Sequence, residues 1–329
     1  MLVTKEQRRL SMGVVVPAFN AEETLPACLN ALIAAGFERE LIFVVDDNSS
    51  DTTKMEANAR GVHVLANIGN LGAAESRNLG ALKLKTDILV FVDADVEVAS
   101  DVKDRFLKHF DDAERDAVFG SYDDAPHRTE TVSRLRNLLH HTTHQKSSGP
   151  ISSFWTGLGA VRREVFENAG GFDAKQRMLE DVEFGLRLTA MGNKIVLDPG
   201  IQGKHWKHWD LKSMVKTDFW DRAVPWTKLL MSPLGQRSAQ TLSVSPASKI
   251  SVFATGLCCL ALPLSLIVPL AALLAFVVGV CMVSLANADY LKCVFRLDGW
   301  TTVPKAIAVL LLHFFSAGLG YAAVRVRLL

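Results

Sequence analysis

The sequence predicts an α/β domain built on a mainly parallel sheet, followed by helices that cross a membrane. In the first part of the chain, helical patterns alternate with short apolar runs typical of buried strands, at residues 13–17, 41–45, 62–65 and 88–92. Strands that alternate with helices favour a parallel sheet with helices on both faces. After residue 250 the chain changes to long uncharged runs, which are typical of membrane helices.

The helices between these strands have recognisable ends. Asn20 is a suitable N-cap for a helix over residues 21–35, and Gly36 follows its last turn. The His-rich stretch at residues 140–144 is expected to be a loop. The other predicted helices cover residues 52–59, 73–84, 101–112, 132–141, 180–191 and 211–230, and the remaining strands cover residues 117–120 and 195–198.

The last part of the chain predicts three membrane segments. Residues 250–288 are 39 residues without a charge, a run that would be about 58 Å long as one helix. A bilayer core is about 30 Å thick, so we expect two short spans or re-entrant helices that meet near Pro263 and Pro269. A third uncharged run of 19 residues covers residues 306–324. Aromatic and charged residues interleave at residues 289–300, which predicts a helix lying in the membrane interface.

These patterns divide the chain into an α/β domain (1–210), an amphipathic interfacial segment and linker (211–249) with a Ser-rich joint at residues 238–248, and a membrane region (250–329). Residues 1–12 lack the apolar stretch of a signal peptide, so we expect the first domain in the cytoplasm of a protein that crosses the inner (cytoplasmic) membrane more than once. The net charge is +1 and no basic stripe with interleaved aromatic residues occurs, so nucleic acid is an unfavourable partner. The five cysteines show neither metal spacing nor a disulfide pattern.

The triplet Asp93-Ala94-Asp95 directly follows the apolar run at residues 88–92. In an open α/β sheet, ligands lie at the carboxyl ends of the strands. Two close carboxylates repel each other unless a cation lies beside them, and hard oxygen ligands suit Mg²⁺ or Mn²⁺. The triplet therefore predicts a divalent metal that holds a phosphorylated substrate. The alternative is a helix start at which Asp95 is the cap.

Two further loops carry polar residues between a strand and a helix. In the turn at residues 46–51, Asp46 and Asp47 lie at the strand end, where a base or ribose could be hydrogen-bonded; the alternative is simple helix capping. The Gly-containing loop at residues 67–78 allows close backbone approach, and Arg77, one turn into the next helix, could reach a diphosphate. The alternative for Arg77 is a solvated helix face.

Taken together, these segments resemble a known family. The chain is similar to family 2 glycosyltransferases of the GT-A fold, a Rossmann-like domain, over roughly residues 12–210. The similarity is carried by Val16-Pro17-Ala18-Phe19-Asn20, Val45-Asp46-Asp47-Asn48-Ser49-Ser50-Asp51, Asn70-Leu71-Gly72, Arg77-Asn78-Leu79-Gly80, Asp93-Ala94-Asp95, Gly170-Gly171-Phe172-Asp173 and Leu179-Glu180-Asp181.

The resemblance implies inverting transfer of a sugar from a nucleotide-diphosphate donor. It assigns the nucleoside to Pro17, to Asp46 or Asp47, and to Asp93. It assigns the metal, Mg²⁺ or Mn²⁺, to Asp95. A His near residue 205 often completes the metal or diphosphate site in this family, so His205 is a second expected ligand, with His208 as a competitor.

The resemblance also implies a catalytic base at Glu180-Asp181. An inverting displacement needs the acceptor hydroxyl deprotonated, and a carboxylate can take that proton. We expect Asp181 in this role, with Glu180 as the fallback. The alternative is that both acids only favour the N-terminus of a helix.

The expected partners are a nucleotide-sugar donor, the membrane, and a lipid or lipid-linked acceptor. Processive members of the family carry Gln-x-x-Arg-Trp, whereas this chain has Arg222 and Trp226 at another spacing, which predicts a non-processive enzyme. A polyprenyl-phosphate glycosyltransferase is the first alternative, although an ionised phosphate acceptor needs no base. A non-catalytic nucleotide-binding membrane module is the second. A phosphatase of the Asp-x-Asp-x-Thr type is disfavoured because position 97 is Glu.

Overall fold

The structure is a computed structural model that describes residues 10–176, 178–236 and 245–327. The chain folds as two compact units, each made of two stretches of sequence. The first unit comprises residues 1–120 and 154–203, and the second comprises residues 121–153 and 204–329. Most of the expected Ser-rich joint at 238–248 and of the polar stretch at 1–12 lies outside the described residues.

The first unit is built around one sheet. The strands of the chain are β1 (Met12–Ala18), β2 (Ile42–Asp46), β3 (His63–Ala66), β4 (Ile88–Val92), β5 (Val96–Val98), β6 (Ala117–Tyr122), β7 (Gly149–Pro150, in the second unit), β8 (Leu158–Arg162) and β9 (Ile195–His205). Their order in the sheet is β3-β2-β1-β4-β8-β6-β9-β5. The β3-β2-β1-β4 half is parallel, as expected, whereas β8 runs antiparallel to both β4 and β6. The sheet is therefore mixed.

Helices connect and cover these strands. The α-helices of the chain are α1 (Leu25–Ala34), α2 (Thr53–Asn58), α3 (Ala73–Lys83), α4 (Val102–Phe110), α5 (Thr131–Lys146), α6 (Arg163–Asn168), α7 (Glu180–Ala190), α8 (Leu211–Lys216), α9 (Val224–Met231), α10 (Pro233–Gln236), α11 (Pro246–Leu264), α12 (Pro269–Ala286), α13 (Ala288–Asp298) and α14 (Val303–Arg325). A π-helical stretch, Thr217–Ala223, joins α8 to α9, and short 3₁₀ turns cover Arg39–Leu41 and Trp300–Thr302.

Strand β4 belongs to the core of the first unit. All five residues of this strand are fully buried, as expected for an apolar strand covered on both faces. Phe91 of β4 contacts Phe166 and Phe172 with ring centroids 5.4 and 5.0 Å apart. On the neighbouring strand β1, Val15 meets Gly80 of α3 so closely that a Cβ on that glycine would lie 2.4 Å from Val15 Cγ1. Gly80 therefore lets α3 pack directly on the sheet.

The second unit joins α5 to the C-terminal helices. Leu135 and Leu138 of α5 belong to the same buried cluster as Tyr290 and Val294 of α13 and Leu310 of α14. Tyr290 Oη donates to the Leu135 carbonyl oxygen at 3.3 Å. Because α5 buries its apolar face against this region, the compact units interleave along the chain rather than follow a single boundary near residue 210.

Among the described residues, three helices are long and apolar enough to cross a membrane: α11, α12 and the stretch from Trp300 to Arg325 that contains α14. The break between α11 and α12 falls at residues 265–268, where two spans were expected to meet. The amphipathic helix α13 lies at the position predicted for an interfacial helix.

Four local expectations are wrong. The first helix begins at Leu25 with Thr24 rather than Asn20 at its N-cap, because residues 22–24 form a turn. The His-rich stretch is not a loop, since α5 continues to Lys146 and buries His141 and His144. The strand predicted at 195–198 extends to His205, and alternate residues of the extension, Ile201, Gly203 and His205, are buried. The helix predicted at 211–230 is divided by its π-helical stretch.

We expect Gly80→Ala to destabilise the protein by about 1–3 kcal/mol, because the added methyl overpacks the contact with Val15. The measurement is thermal or denaturant unfolding of the detergent-solubilised full chain. Gly69→Ala is the matched control, since a Cβ there meets no atom within 4 Å. Equal melting of the two variants would contradict the packing argument.

Candidate active site

The carboxyl ends of β1, β2 and β4 bring three predicted residues to one edge of the sheet. Ala18 pairs with Asp46, and Val15 lies opposite Phe91. Pro17 lies two residues after Val15, and Asp93 lies two residues after Phe91. The parallel part of the sheet therefore aligns Pro17, Asp46 and Asp93, at the edge where α/β folds bind ligands.

Asp93-Ala94-Asp95 forms a tight turn between β4 and β5. The Val96 amide donates to the Asp93 carbonyl oxygen at 3.0 Å, and the Asp93 amide donates to Gly157 at 3.3 Å. A strand follows Asp95, so the alternative in which it caps a helix is wrong. Both carboxylates are half-buried.

Cys28 of α1 lies beneath this turn. Its thiol donates to the Asp93 carbonyl oxygen, with the sulfur 3.6 Å from the oxygen. Burial, together with the negative charges of Asp95 and Asp93, raises the pKa of Cys28 well above its usual value. The thiol is therefore a neutral hydrogen-bond donor that supports the turn from below.

Arg77 bridges the turn to α7. It is only 4% exposed. Its Nη2 donates to Asp93 Oδ1 at 2.6 Å, and its Nη1 donates to Glu180 Oε1 at 2.5 Å. Burial alone would lower the pKa of Arg77, but the carboxylates of Asp93 and Glu180 raise it. The solvated-face interpretation of Arg77 is therefore wrong, and this charge connects two parts of the site that are far apart in sequence.

Asp47 fixes the Gly-containing loop. Its Oδ1 accepts from Asn67 Nδ2 at 2.6 Å and from the Leu71 amide at 2.8 Å, while its Oδ2 accepts from the Gly72 amide at 2.8 Å. Gly72 has φ of +92°, a left-handed conformation that suits glycine. Asp47 thus determines the backbone path into α3, the helix that carries Arg77.

Asp46 is fully buried at the end of β2. The Ser49 amide donates to its carboxylate at 3.3 Å, and Lys54 Nζ lies 3.6 Å from its Oδ2. The two acids of this turn thus differ, since Asp47 anchors a loop while Asp46 closes the turn itself. The assignment of either acid to a nucleoside stays a prediction.

Glu180 and Asp181 begin α7 after a strained residue. Leu179 has φ of +65°, a left-handed conformation that is costly for a side chain with a Cβ and is concentrated at functional sites. Asp181 Oδ2 accepts from the Thr156 amide at 3.3 Å and from the Thr156 hydroxyl at 3.4 Å. Its Oδ1 accepts from the Val182 amide at 2.7 Å.

The environment of Asp181 raises its pKa to about 7. Burial disfavours the charged form, the neighbouring Glu180 acts in the same direction, and the guanidinium of Arg77 opposes them. Such a carboxyl group exchanges a proton near neutral pH, which is where a general base is most effective.

Sequence reasoning did not select Thr156 or single out Asn78. Asn78 Nδ2 donates to the Phe172 carbonyl oxygen at 2.8 Å, and its Oδ1 accepts from the Phe172 amide at 2.9 Å. These two hydrogen bonds hold the Gly170-Gly171-Phe172-Asp173 loop in place. Asn78 could have been selected from the sequence, because it follows Arg77 in one of the segments that resemble the family. Nothing in the sequence around Thr156 indicates its contact with Asp181.

His205 is the last residue of β9 and belongs to the second unit, whereas Asp95 belongs to the first. It is buried, and its ring stacks on Tyr122 with centroids 4.0 Å apart. In the described ranges, no group of three or more His, Cys, Asp or Glu side chains is arranged to hold a metal ion. The carboxylates of the Asp93-Asp95 turn are nonetheless hard oxygen donors of the kind that suit Mg²⁺ or Mn²⁺.

Comparison with known proteins identifies the class of this fold. The chain has a TM-score of 0.59 with a mannosyltransferase from Pyrobaculum calidifontis in complex with GDP-Man and Mn²⁺, over 96% of this chain and 88% of that one at 15% identity. It has a TM-score of 0.51 with residues 1–349 of TarS from S. aureus in complex with UDP-GlcNAc, over 97% and 92% at 17% identity. The fold is therefore that of GT-A glycosyltransferases.

Residues 13–170 match the family model of Glycosyl transferase family 2. An uncharacterized glycosyltransferase of Haemophilus influenzae is 28% identical over 54% of this chain and 61% of its own length. A 4,4'-diaponeurosporenoate glycosyltransferase of Staphylococcus haemolyticus is 39% identical over 27% of this chain and 25% of its own. The chain thus spans between a quarter and three fifths of these relatives. Residues 13–170 therefore form a Glycosyl transferase family 2 domain of the GT-A fold. In the described part of the chain after this domain, three helices are long and apolar enough to cross a membrane.

We expect Arg77→Met to destabilise the protein by about 3–5 kcal/mol, because it leaves two buried or half-buried carboxylates without their common partner. Unfolding of the solubilised chain measures this loss. Lys83→Met on the exposed end of the same helix is the control, and we expect it to change stability by less than about 0.5 kcal/mol. A similar small change in Arg77→Met would show that the bridge is unimportant.

Proposed function

We propose that this protein transfers a sugar from a nucleotide-diphosphate donor to a hydroxyl group of a membrane lipid or lipid-linked acceptor, with inversion at the anomeric carbon. The observation that carries the proposal is the Asp93–Arg77–Glu180 bridge, which ties the sheet edge to Asp181, a carboxyl whose pKa is about 7. These contacts hold the proposed donor site and the proposed base close together within the first unit.

The nucleoside lies at the ends of β1, β2 and β4, against Pro17, Asp46 and Asp93. This assignment is supported by the strand register that aligns these residues. It is also supported by the GDP-Man and UDP-GlcNAc complexes of the two structural neighbours. Both carboxylate oxygens of Asp47 already accept hydrogen bonds from the loop at residues 67–72. Asp46 is therefore the better candidate for a contact with the nucleoside.

The diphosphate is held by a divalent cation, Mg²⁺ or Mn²⁺, at Asp95, whereas His205 as a second ligand stays an expectation from the family resemblance. When bound, such a cation stabilises the negative charge that develops on the leaving nucleoside diphosphate. The Mn²⁺ in the complex of the Pyrobaculum neighbour supports this choice. Asp93 contributes chiefly through Arg77, since one of its oxygens already accepts from that guanidinium.

Asp181 is the general base. Its carboxylate takes the proton of the acceptor hydroxyl while the oxygen forms its bond to the anomeric carbon, and the bond from that carbon to the diphosphate breaks. The Thr156 and Val182 amides orient the carboxylate. A base with a pKa near 7 favours a hydroxyl acceptor over the polyprenyl-phosphate alternative, because a phosphate is already ionised at that pH. A non-catalytic nucleotide-binding module would not need such a base.

We further infer that the protein works at the cytoplasmic face of the inner membrane. Three apolar helices support attachment to a membrane, and a nucleotide-sugar donor is a soluble anion that approaches from the aqueous side. A lipid acceptor then reaches the site from the bilayer.

Asp181→Asn should abolish transfer while leaving donor affinity within about threefold of wild type, since the amide keeps the shape but cannot accept the proton. The measurement pairs product formation from radiolabelled nucleotide sugars in a total lipid extract with donor binding by calorimetry. Asp173→Asn, an acid outside the proposed base, is the control. Retained transfer in Asp181→Asn would refute the assignment of the base to this residue.

The pH profile of transfer should follow Asp181. The rate should fall about tenfold per unit below pH 7 and level off above it, because only the carboxylate accepts a proton. Glu180→Gln should move the midpoint to lower pH, since the negative charge of Glu180 raises the pKa of Asp181. An unmoved midpoint in Glu180→Gln would contradict this coupling, and loss of all transfer there would favour Glu180 as the base.

Asp95→Asn should weaken metal-dependent donor binding by at least about tenfold, because an amide is a poorer ligand for a hard cation than a carboxylate. Titration of Mn²⁺ in the presence of donor measures this change. Equal Mn²⁺ dependence in wild type and Asp95→Asn would remove Asp95 from the metal site.

A further inference from the structure

The second unit contains a cavity that the proposed reaction does not use. It measures about 430 Å³ and is lined by residues of α5 and α13. The lining includes Thr142 and Gln145 on α5 and Cys293 on α13. No residue of the proposed donor or base site is among its lining.

Three cations line this cavity against one acid. Lys146 closes the last turn of α5, and Lys292 and Arg296 lie one turn apart on α13, with Asp289 one turn before them. Asp289 accepts from Lys146 at 2.8 Å and lies 3.9 Å from Lys292 Nζ. Asp124, outside the lining, lies 3.7 Å from Arg296. The three cations outnumber the two acids, Asp289 and Asp124, by one positive charge. This net positive charge favours binding of an anion.

The cavity walls are held in place by two contacts between α5 and α13. Arg134 Nε donates to both oxygens of Asp298, at 2.7 and 2.8 Å. The Tyr290 hydroxyl donates to the Leu135 carbonyl oxygen. The cationic groups therefore project from a fixed pair of helices, while Lys292 and Arg296 themselves remain mostly exposed.

The position of α13 indicates where such an anion comes from. The helix begins at Ala288, two residues after the candidate span α12 ends at Ala286. Phe295 and Trp300, beside the cationic face, are largely exposed, as expected for aromatic anchors in a membrane interface. Basic pockets next to membrane helices bind anionic lipid headgroups.

We propose that this cavity binds the phosphate headgroup of an anionic membrane phospholipid, through Lys146, Lys292 and Arg296. The phosphodiester takes the place of Asp289 between the two lysines and accepts from the guanidinium of Arg296. Thr142 and Gln145 supply neutral polar contacts to the glycerol part of the headgroup. The site is separate from the donor site and does not depend on which sugar or acceptor the enzyme uses.

The test is native mass spectrometry of the purified full chain in detergent with defined lipids. Wild type should retain phosphatidylglycerol about fivefold more tightly than phosphatidylcholine, since the net excess of one cation near an anionic headgroup contributes roughly fivefold. The triple variant K146Q/K292Q/R296Q should lose this preference. The matched control K228Q/K249Q/K305Q removes the same charge from exposed positions of the same unit outside the lining, and it should keep the preference.

Equal loss in the triple variant and the control would mean that only net charge matters, which would overturn the site. A preference that survives in the triple variant would overturn it as well.

A gain-of-binding variant keeps the proposal testable if the triple variant does not fold. Asp289→Asn removes the anion that competes for Lys146 and Lys292, so it should bind phosphatidylglycerol at least about threefold more tightly than wild type. Unchanged or weaker binding would overturn the proposal. Inorganic phosphate and glycerol 3-phosphate form the last arm: displacement of the lipid by either at millimolar concentration would show a site for soluble phosphate rather than for a lipid.

Discussion

The first unit depends on one buried guanidinium. Arg77 donates at the same time to Asp93, at the end of β4, and to Glu180, at the start of α7. Taking a charge out of water is costly unless its partners compensate for the loss, and here two carboxylates do so. The rest of the site follows from this requirement: Gly80 lets α3 approach the sheet, and Asp47 sets the path of the chain into α3.

The same cluster tunes the chemistry of its neighbour. Asp181 lies next to Glu180, and its pKa of about 7 results from burial and from that adjacent charge, moderated by Arg77. The two adjacent acids thus lie in different environments, because Glu180 forms an ion pair with Arg77 whereas Asp181 accepts from the amides of Thr156 and Val182. The left-handed Leu179 fixes where α7 begins and so where both carboxylates point from the backbone.

The second unit uses a comparable device. Asp218, in the π-helical stretch, accepts from Arg136 of α5 and from His313 of α14. Burial would raise the pKa of Asp218, yet His313, Arg136 and the charge of Arg222 lower it to about 2. The acid therefore remains charged and joins three elements that are far apart in sequence. This polar contact, together with the apolar cluster around Tyr290 and Leu310, explains why α5 belongs to the C-terminal unit.

The sequence by itself determined the parallel strands, the α/β class, the family and the membrane helices, because these are written in local periodicity, in uncharged runs and in short segments in a fixed order. It also supplied the identities of Asp93, Asp181 and Arg77 as candidates. Only the tertiary structure decided that Arg77 binds Asp93 and Glu180, that Asp47 anchors a loop, that Thr156 holds Asp181, and that α5 packs with α13. Each of these is a contact between residues that are distant in sequence. The energy of such a contact depends on how deeply the groups are buried and on how they are oriented toward each other. A local sequence pattern contains neither kind of information.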